Sequence, residues 1–235
     1  MGFFQDMMAI FKKRELALLE SYEESEGVYT FLFEKGQGVT WKAGQHGLFT
    51  ITHKKVKNGT KPFSIASAPA ENAIQLTVGI GDSPSEFKQA MLELKPGMTI
   101  TMAGPVGSFY PEDDSPALFI AGGIGITPFR SIVKQSVAEG SANKKPITLL
   151  YLDSKKSYLF REEFDEIASN TSIRIAYLDS RDGLQQEIDK FIDLYKSNGT
   201  FFVAGSKSMV NSISDELKNK HIAKRNIKKD EFYGY

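Results

Sequence analysis

The spacing of hydrophobic residues changes near the middle of the chain. From Glu15 to about Gly107, short apolar runs are separated by glycine-rich turns, a pattern typical of β-strands that pair in antiparallel order. The runs are LALLESY, VYTFLFE, HGLFTIT, FSIASA, IQLTVGI and MTITMAG. Many short strands at close spacing favour a barrel or a sandwich. One helix is expected in SPSEFKQAMLEL, where Ser83 or Ser85 can cap the first turn.

After YPEDDSPA the pattern alternates between strand and helix. Four expected strands, ALFIAG, ITLLYLD, IRIAYLD and FFVAGS, are each followed by a helical segment. Continuous apolar strands are typical of a parallel sheet that helices cover on both faces. The sequence therefore predicts an antiparallel β-barrel followed by a parallel-sheet α/β domain. We place an amphipathic extension at residues 1–14, the barrel at 15–112 and the α/β domain at 113–235.

Composition excludes several kinds of site. The 235 residues include 29 basic and 29 acidic side chains, and a net charge of zero gives no reason to expect binding to nucleic acid. The absence of cysteine excludes disulfides, thiolate zinc sites, cysteine nucleophiles and cysteine-ligated iron–sulfur clusters on this chain. We predict no metal site. No apolar run is long enough to cross a membrane, and the first residues lack the features of a signal peptide. We expect a cytoplasmic protein.

The N-terminal extension has an apolar face of its own if residues 1–14 form a helix. The residues on that face are Phe3, Phe4, Met7, Met8 and Phe11. The face can pack on the same protein or on a second copy, or it can contact a membrane surface or another partner. The sequence leaves the oligomeric state open.

A glycine-rich turn, AGGIGITPFR, follows the first strand of the α/β half. Glycine lets backbone N–H groups approach a phosphate closely. The turn is not the dinucleotide fingerprint, because Pro128 stands where the third glycine is needed, and it is not a P-loop, because no Gly-Lys-Ser/Thr follows. Open α/β sheets bind ligands at this end of their strands. We expect Thr127 to cap the next helix and the turn to face a nucleotide, the alternative being a tight connection without a ligand.

Motifs in one consistent order resemble those of the ferredoxin–NADP reductase superfamily from Glu15 to Tyr235. They are WKAGQHGLFTI with KPFSIASAP, VGIGDSPSEFKQAM, LKPGMTITMAGPVGSF, AGGIGITPFRSI, FREEF and FVAGSKSM. The resemblance implies a barrel that binds FAD, with FMN as the less favoured flavin, and an α/β domain that binds NADPH or NADH. It implies that hydride passes to the flavin and that electrons then pass to a separate acceptor, such as a ferredoxin, a flavodoxin or an oxygenase component.

The resemblance assigns one set of residues to the flavin. Those matching the family motif Arg-x-Tyr-Ser are Lys61, Pro62, Phe63 and Ser64. Ser64 would be a catalytic residue beside flavin N5, and Lys61 would neutralise the flavin phosphate without the bidentate fork of arginine. Phe63 would pack beside the flavin without the hydroxyl of tyrosine. The turn that would receive the pyrophosphate contains Gly81, Ser83 and Ser85. Without the resemblance, these residues are an ordinary strand start and helix caps.

A second set of residues is assigned to the coenzyme. It comprises Gly122, Gly123, Gly125, Thr127, Pro128, Ser180, Arg181, Gly205 and Met209. Ala204 stands where the family commonly has a cysteine beside the nicotinamide, but direct hydride transfer depends more on distance and orientation than on a thiol. Ser180 and Arg181 match a pair that binds the 2′-phosphate of NADPH. Asp179 and Asp182 beside them can instead hold the ribose of NADH.

The end of the chain gives two further expectations. Tyr235 would stack on the flavin as a catalytic and cofactor-binding residue, or else fasten the C-terminus to the sheet. A basic tail can dock an acidic electron carrier or can be an ordinary solvated face. Its residues are Lys218, Lys220, Lys224, Arg225, Lys228 and Lys229. The rival function is a non-catalytic flavin- or nucleotide-binding subunit that has lost its chemistry with the altered Lys-Pro-Phe-Ser motif and the missing cysteine.

Overall fold

The computed structural model describes residues 12–232, apart from the side chain of Ser197. These residues form two units, each with its own sheet. The first unit contains the chain up to Tyr110 together with Arg130–Gln135, and the second contains Pro111–Phe129 together with the chain from Ser136 onwards. The apolar residues of the N-terminal extension and Tyr235 lie outside the described residues. The predicted domain boundary at residue 112 stays a prediction.

The first unit is built on a six-stranded antiparallel sheet. Its strands are β1 (Lys13–Ser25), β2 (Val28–Glu34), β3 (His46–Ile51), β4 (Thr60–Ser64), β5 (Ala73–Gly79) and β6 (Thr99–Val106). The spatial order is β4-β3-β6-β1-β2-β5. Just after the edge strand β4, the amide of Ala66 donates to the carbonyl of Gln75 in the other edge strand at 2.9 Å. This contact curls the sheet into the predicted barrel.

Alternate strand positions fill the inside of the barrel. Leu16 and Leu18 of β1 are buried at a spacing of two, as a strand with one face toward the core requires. The short helix α1 (Glu86–Leu92) adds Phe87 to the same core. The Ser85 hydroxyl accepts a hydrogen bond from the amide of Lys88 and caps this helix. The sequence left two serines open for that role, and Ser85 is the one that fills it.

The apolar run FSIASA is only partly a strand. β4 ends at Ser64, and a short 3-10 helix at Pro69–Glu71 follows. The amide of Ile65 donates to the carbonyl of Gln45 near β3, whereas the next residue bonds to β5. The hydrogen bonding therefore changes from the β3 side to β5 within two residues. Regular β-pairing stops there, although the side chains remain buried. The residues after Ser64 are apolar because they are buried, and this apolar pattern predicted a strand longer than the one that forms.

A buried ion pair holds the segment after β4. The helix α2 (Thr127–Ala138) supplies Arg130, whose guanidinium donates to both carboxylate oxygens of Glu71 at 3.0 and 3.1 Å. It also donates to the carbonyl of Ala66 at 3.0 Å, and its side chain is only 6% exposed. Burial alone would raise the pKa of Glu71, but Arg130 and the nearby Lys134 hold this pKa below its ordinary value.

The second unit is a five-stranded parallel sheet with helices between its strands. Its strands are β7 (Ala117–Gly122), β8 (Ile147–Leu152), β9 (Arg174–Leu178), β10 (Thr200–Ser206) and β11 (Ile227–Phe232), in the order β11-β10-β7-β8-β9. After α2 come α3 (Arg161–Asn170), α4 (Arg181–Tyr195) and α5 (Lys207–Asn219), with short 3-10 helices at Gly123–Ile126, Lys196–Asn198 and Lys224–Asn226. The order reverses between β7 and β10, as in a doubly wound fold.

β11 was not predicted from the sequence, and the prediction that its residues belong to a tail is wrong. Lys228 and Lys229 lie in this strand, which pairs in parallel with β10 from Phe201 opposite Ile227 to Ser206 opposite Phe232. Edge strands are often charged, because charge discourages pairing with other chains. Only Ile227 of β11 is fully buried, so no apolar pattern predicts this strand.

One further property concerns membranes. Between residues 12 and 232, no helix combines the length and the apolar character that a membrane crossing requires.

The Arg130–Glu71 pair gives a prediction about stability. Glu71→Gln should lower the free energy of unfolding at pH 7 by about 3 kcal/mol, because a buried guanidinium loses its counter-charge. The pKa of Glu71 is lowered on folding, so this stabilisation is present above about pH 4.5 and is lost as the pH falls through the folded value. Urea unfolding from pH 7 to pH 3 should show the two proteins converging in acid.

The matched control is Glu26→Gln, which removes the same charge from an exposed turn of the same unit. It should change stability by less than about 0.5 kcal/mol. A constant difference between wild type and Glu71→Gln across the pH range would contradict the ion-pair explanation.

Candidate functional site

Two glycine-rich turns meet at the centre of the parallel sheet. β7 ends at Gly122 and the adjacent β10 ends at Ser206, at the point where the strand order reverses. A Cβ atom at Gly125 would overlap the carbonyl group of Ala204 and would lie 2.7 Å from the nitrogen of Gly205. Glycine at position 125 is therefore required by backbone packing. Doubly wound sheets bind ligands in the crevice at this position.

Met209 lies over the same crevice from the first turn of α5. A Cβ at Gly122 would overlap the Met209 sulphur, and a Cβ at Gly205 would lie 3.2 Å from it. Gly123 has a φ of +52° and open space where a side chain would project. The structure thus brings together four of the residues that the family resemblance assigned to the coenzyme, namely Gly122, Gly125, Gly205 and Met209. The open space at Gly123 and the glycine-rich backbone beside it are features that a phosphate-binding turn requires.

The helix after this turn begins differently from the prediction. The 3-10 helix at Gly123–Ile126 runs directly into α2, so Thr127 has helical angles, with φ −57° and ψ −47°. Its buried hydroxyl donates to the carbonyl of Ile124 at 3.2 Å, and Pro128 takes the second helical position. The expected capping role of Thr127 is therefore wrong. The first N–H groups of a helix have no hydrogen-bond acceptor within that helix. Here the helical stretch begins at Gly123, so these N–H groups are those of the glycine turn.

The Ser-Arg pair begins α4 at the carboxyl end of β9. The Ser180 hydroxyl accepts a hydrogen bond from the amide of Gly183 at 3.2 Å and caps the helix. Nη2 of Arg181 donates to Oγ of Ser212 at 2.6 Å and lies 3.8 Å from the Glu216 carboxylate. Ser212 and Glu216 were not predicted as site residues, because they lie on another helix and no local sequence pattern joins them to Arg181.

The acidic residues beside that pair differ in their surroundings. The Asp179 carboxylate forms an exposed ion pair with the ammonium group of Lys156 at 2.8 Å. The hydrogen bond and the charge of Lys156 hold the pKa of Asp179 below its ordinary value. Asp182, in the first turn of α4, is exposed. A ribose hydroxyl at Asp179 would therefore meet a carboxylate that already has a cationic partner.

A cluster of aromatic rings lies beside β9. Tyr158 and Tyr177 have ring centroids 4.9 Å apart, and the Arg161 guanidinium lies 4.7 Å from the centroid of Tyr177. The Tyr177 hydroxyl donates to Asp165 at 2.7 Å. Burial raises the pKa of Tyr177, and Asp165 raises it further, so the phenol stays protonated. Arg161 is the second residue of the FREEF motif, and Asp165 follows the motif directly.

In the first unit, β4 divides its side chains between two faces. Ser64 is 8% exposed and pairs directly with His46 of β3. Phe63 points the other way, and its ring stacks on Phe87 of α1 at 5.6 Å and meets Phe49 edge-on at 6.2 Å. Phe63 of the Lys-Pro-Phe-Ser motif therefore also packs against the barrel core.

The remaining flavin candidates lie near the start of α1 and on β4. Side-chain alternation puts Lys61 on the face of Phe63 and Pro62 on the face of Ser64. Gly81 has a φ of +67° and open space where a Cβ would project, and Ser83 follows it in the same turn. The Lys57 amide donates to the Glu86 carboxylate at 2.9 Å and ties the β3–β4 loop to this helix. A glycine turn with open space, directly before a capped helix, suits a flavin pyrophosphate.

The described residues also bear on metal binding. Within the described part of the chain, no three acidic or histidine side chains come together in a group that could hold a metal ion.

Comparison with known proteins identifies the family. A family model described as "Oxidoreductase NAD-binding domain" matches residues 119–215. Ferredoxin–NADP reductase B of Sorangium cellulosum is 33% identical over 162 residues, which cover 67% of this chain and 60% of that protein. The chain belongs to the ferredoxin–NADP reductase superfamily. It spans about half the length of the curated relatives that it matches.

Solved structures with the superfamily fold cover both units. A mutant of the ferredoxin–NADP⁺ reductase from Plasmodium falciparum matches with a TM-score of 0.81 and 18% identity, over 95% of this chain and 97% of that one. The FAD/NAD-binding domain of nitric oxide dioxygenase from Vibrio cholerae O1 biovar El Tor matches with a TM-score of 0.74 and 21% identity, over 93% and 98% of the two chains. Both confirm the predicted fold, an antiparallel barrel followed by a parallel α/β unit.

The backbone contact at Gly125 gives a second prediction. Gly125→Ala should lower the free energy of unfolding by about 3 kcal/mol, because the new methyl group overlaps backbone that cannot rotate away. Gly123→Ala is the control, with open space but a positive φ, and should cost only about 1 kcal/mol. Urea denaturation measures both values. Equal costs would mean that β7 and β10 can separate freely at this point.

Proposed function

We propose that this chain is a flavin-dependent oxidoreductase that takes hydride from NADPH or NADH and passes electrons to a separate acceptor. The observation that carries the proposal is the glycine turn packed against Ala204 and Gly205 where the strand order reverses. Membership of a reductase superfamily supports the same activity. The proposal assigns the flavin to residues 15–112 and the coenzyme to residues 113–235.

FAD is the flavin we propose, in preference to FMN. The related domain from Vibrio cholerae is named as FAD/NAD-binding, and the turn from Gly81 to Ser85 offers a place for a pyrophosphate, which FAD has and FMN lacks. The flavin supplies the redox chemistry, accepting a hydride and releasing electrons to the acceptor. Lys61 would neutralise phosphate charge, and the buried hydroxyl of Ser64 would hydrogen-bond at N5.

The coenzyme would lie across the carboxyl ends of β7, β10 and β9. The amides of Gly122, Gly123 and Gly125 would receive the pyrophosphate, with Gly205 and Met209 closing the crevice. Arg181 would meet the 2′-phosphate of NADPH, which makes NADPH the proposed preferred coenzyme. The chain's own contribution to catalysis is to hold both cofactors in fixed positions rather than to move a proton.

The acceptor would be a protein such as a ferredoxin, a flavodoxin or an oxygenase component, because this chain has no cysteine to bind an iron–sulfur cluster. The basic residues that predicted a docking surface are partly neutralised. Lys218 pairs with Asp215 at 2.8 Å, and Lys220 pairs with Asp189 at 2.5 Å. Lys228 lies 3.8 Å from a carboxylate, so that surface carries less free charge than the sequence indicates.

Three finer assignments complete the proposal. We propose a cytoplasmic location, because a chain without cysteine has no disulfide that reducing conditions could break. Tyr235 remains the proposed ring over the flavin, and residues 1–14 remain a proposed contact for a partner or a membrane surface.

The flavin site gives a third prediction. The purified protein should bind FAD, and anaerobic NADPH should bleach its absorption near 450 nm. Lys61→Ala should weaken FAD binding by about tenfold to a hundredfold, because one counter-charge of the phosphate is lost. Lys55→Ala, at an exposed position of the preceding loop, is the control and should leave the affinity unchanged.

Each outcome separates the proposal from its rivals. A protein that binds neither FAD nor FMN on reconstitution would overturn it. A protein that binds flavin but is not reduced by either coenzyme would instead be the non-catalytic subunit.

Coenzyme choice gives a fourth prediction. Arg181→Ala should raise KM for NADPH by about tenfold and spare KM for NADH, because only the phosphate needs the guanidinium. Steady-state kinetics with both coenzymes provides the measurement, and Asp182→Asn next to it tests the ribose contact of NADH. An equal loss with both coenzymes would show that Arg181 supports the fold and does not recognise the phosphate.

A further inference from the structure

The contacts of Arg181 raise the question of what its guanidinium does before a coenzyme arrives. Nη2 donates to Oγ of Ser212 at 2.6 Å, and the Glu216 carboxylate lies 3.8 Å away. Ser212 and Glu216 are four residues apart on α5, so both occupy one side of that helix. The side chain of Arg181, the first residue of α4, is therefore held against the side of α5.

Glu216 depends on this contact. Its side chain is only 24% exposed, and its Oε1 atom is buried without a hydrogen-bond partner among the described residues. A half-buried carboxylate with an unmatched oxygen is unfavourable unless a cation compensates it. Arg181 is the cation in the ion pair of Glu216, whereas the nearby Lys220 pairs with Asp189.

A 2′-phosphate would need the same guanidinium. Arginine binds phosphate best through two parallel N–H groups, and Nη2 of Arg181 is already directed at α5. The phosphate must therefore draw Arg181 away from Ser212 and Glu216, or bind it beside a carboxylate that repels a dianion. NADH has a hydroxyl group at this position and imposes neither requirement.

We propose that Glu216 is a positioning residue that sets the coenzyme preference by holding Arg181 on α5. It weakens the binding of a 2′-phosphate and leaves the binding of a 2′-hydroxyl unchanged. The inference rests on the proposed binding of a nicotinamide coenzyme by this unit. It adds that the choice between NADPH and NADH depends on a residue of a different helix from the Ser-Arg pair.

The test uses a substitution that keeps the shape of the side chain and removes its charge. In Glu216→Gln, the dissociation constant of 2′,5′-ADP should fall by about threefold to tenfold, while that of 5′-AMP should not change. Isothermal titration calorimetry measures both constants and needs no flavin. In kinetics with the full chain, KM for NADPH should fall by the same factor with kcat unchanged, and KM for NADH should stay constant.

Three comparisons separate this mechanism from a general charge effect. Asp215→Asn removes the same charge from the neighbouring residue, which is exposed and paired with Lys218, and should leave both dissociation constants unchanged. In the Arg181→Ala background, Glu216→Gln should give no gain, because Glu216 acts through Arg181. Ser212→Ala keeps the carboxylate but frees Nη2, and it should give a smaller gain for 2′,5′-ADP than Glu216→Gln.

The contrary results are equally specific. Unchanged 2′,5′-ADP affinity in both Glu216→Gln and Ser212→Ala, with the melting temperature retained, would overturn the inference alone. An equal gain in Asp215→Asn, or in Arg181→Ala with Glu216→Gln, would overturn it as well. A wild-type chain that binds neither 2′,5′-ADP nor 5′-AMP, and is not reduced by either coenzyme, would remove the proposed function together with the inference.

Discussion

The close backbone contact between the glycine turn and β10 is the constraint on which the α/β unit depends. β7 and β10 are neighbours in the sheet but are separated by about eighty residues of chain, and their ends can meet only because residue 125 has no side chain. Gly123 in the same turn has open space where a side chain would project. Backbone packing and the proposed binding of a coenzyme thus both require glycine within this one short motif.

In the barrel, strand β4 likewise combines core packing with a side chain on its other face. Because successive residues of a strand face opposite sides, Phe63 can fill the core while Ser64 faces the other way. Beyond Ser64, Arg130 holds the irregular segment through Glu71 and the carbonyl of Ala66. The buried guanidinium donates to three oxygen atoms, and these hydrogen bonds fix the conformation of a segment that has no regular β-pairing.

Local patterns in the sequence predicted the two-part fold, the order of most elements and the turn at the strand-order reversal, because glycine spacing and apolar periodicity are local signals. They misplaced features that depend on distant partners. β11 is polar because it lies at an edge, and Thr127 does not cap α2 because a 3-10 turn precedes it. The contact of Arg181 with Ser212 joins two helices, and no spacing within either helix encodes it.

The stacking of Phe63 on Phe87 has a consequence for how the barrel relates to any cofactor. Both rings belong to the chain itself, so the interior between β4 and α1 is filled from within. At this point of the barrel, side chains of the chain itself, and not a cofactor, complete the core. Cofactor binding then follows mass action. The fraction of protein with bound cofactor rises with the free cofactor concentration, and binding adds to the stability of the folded state.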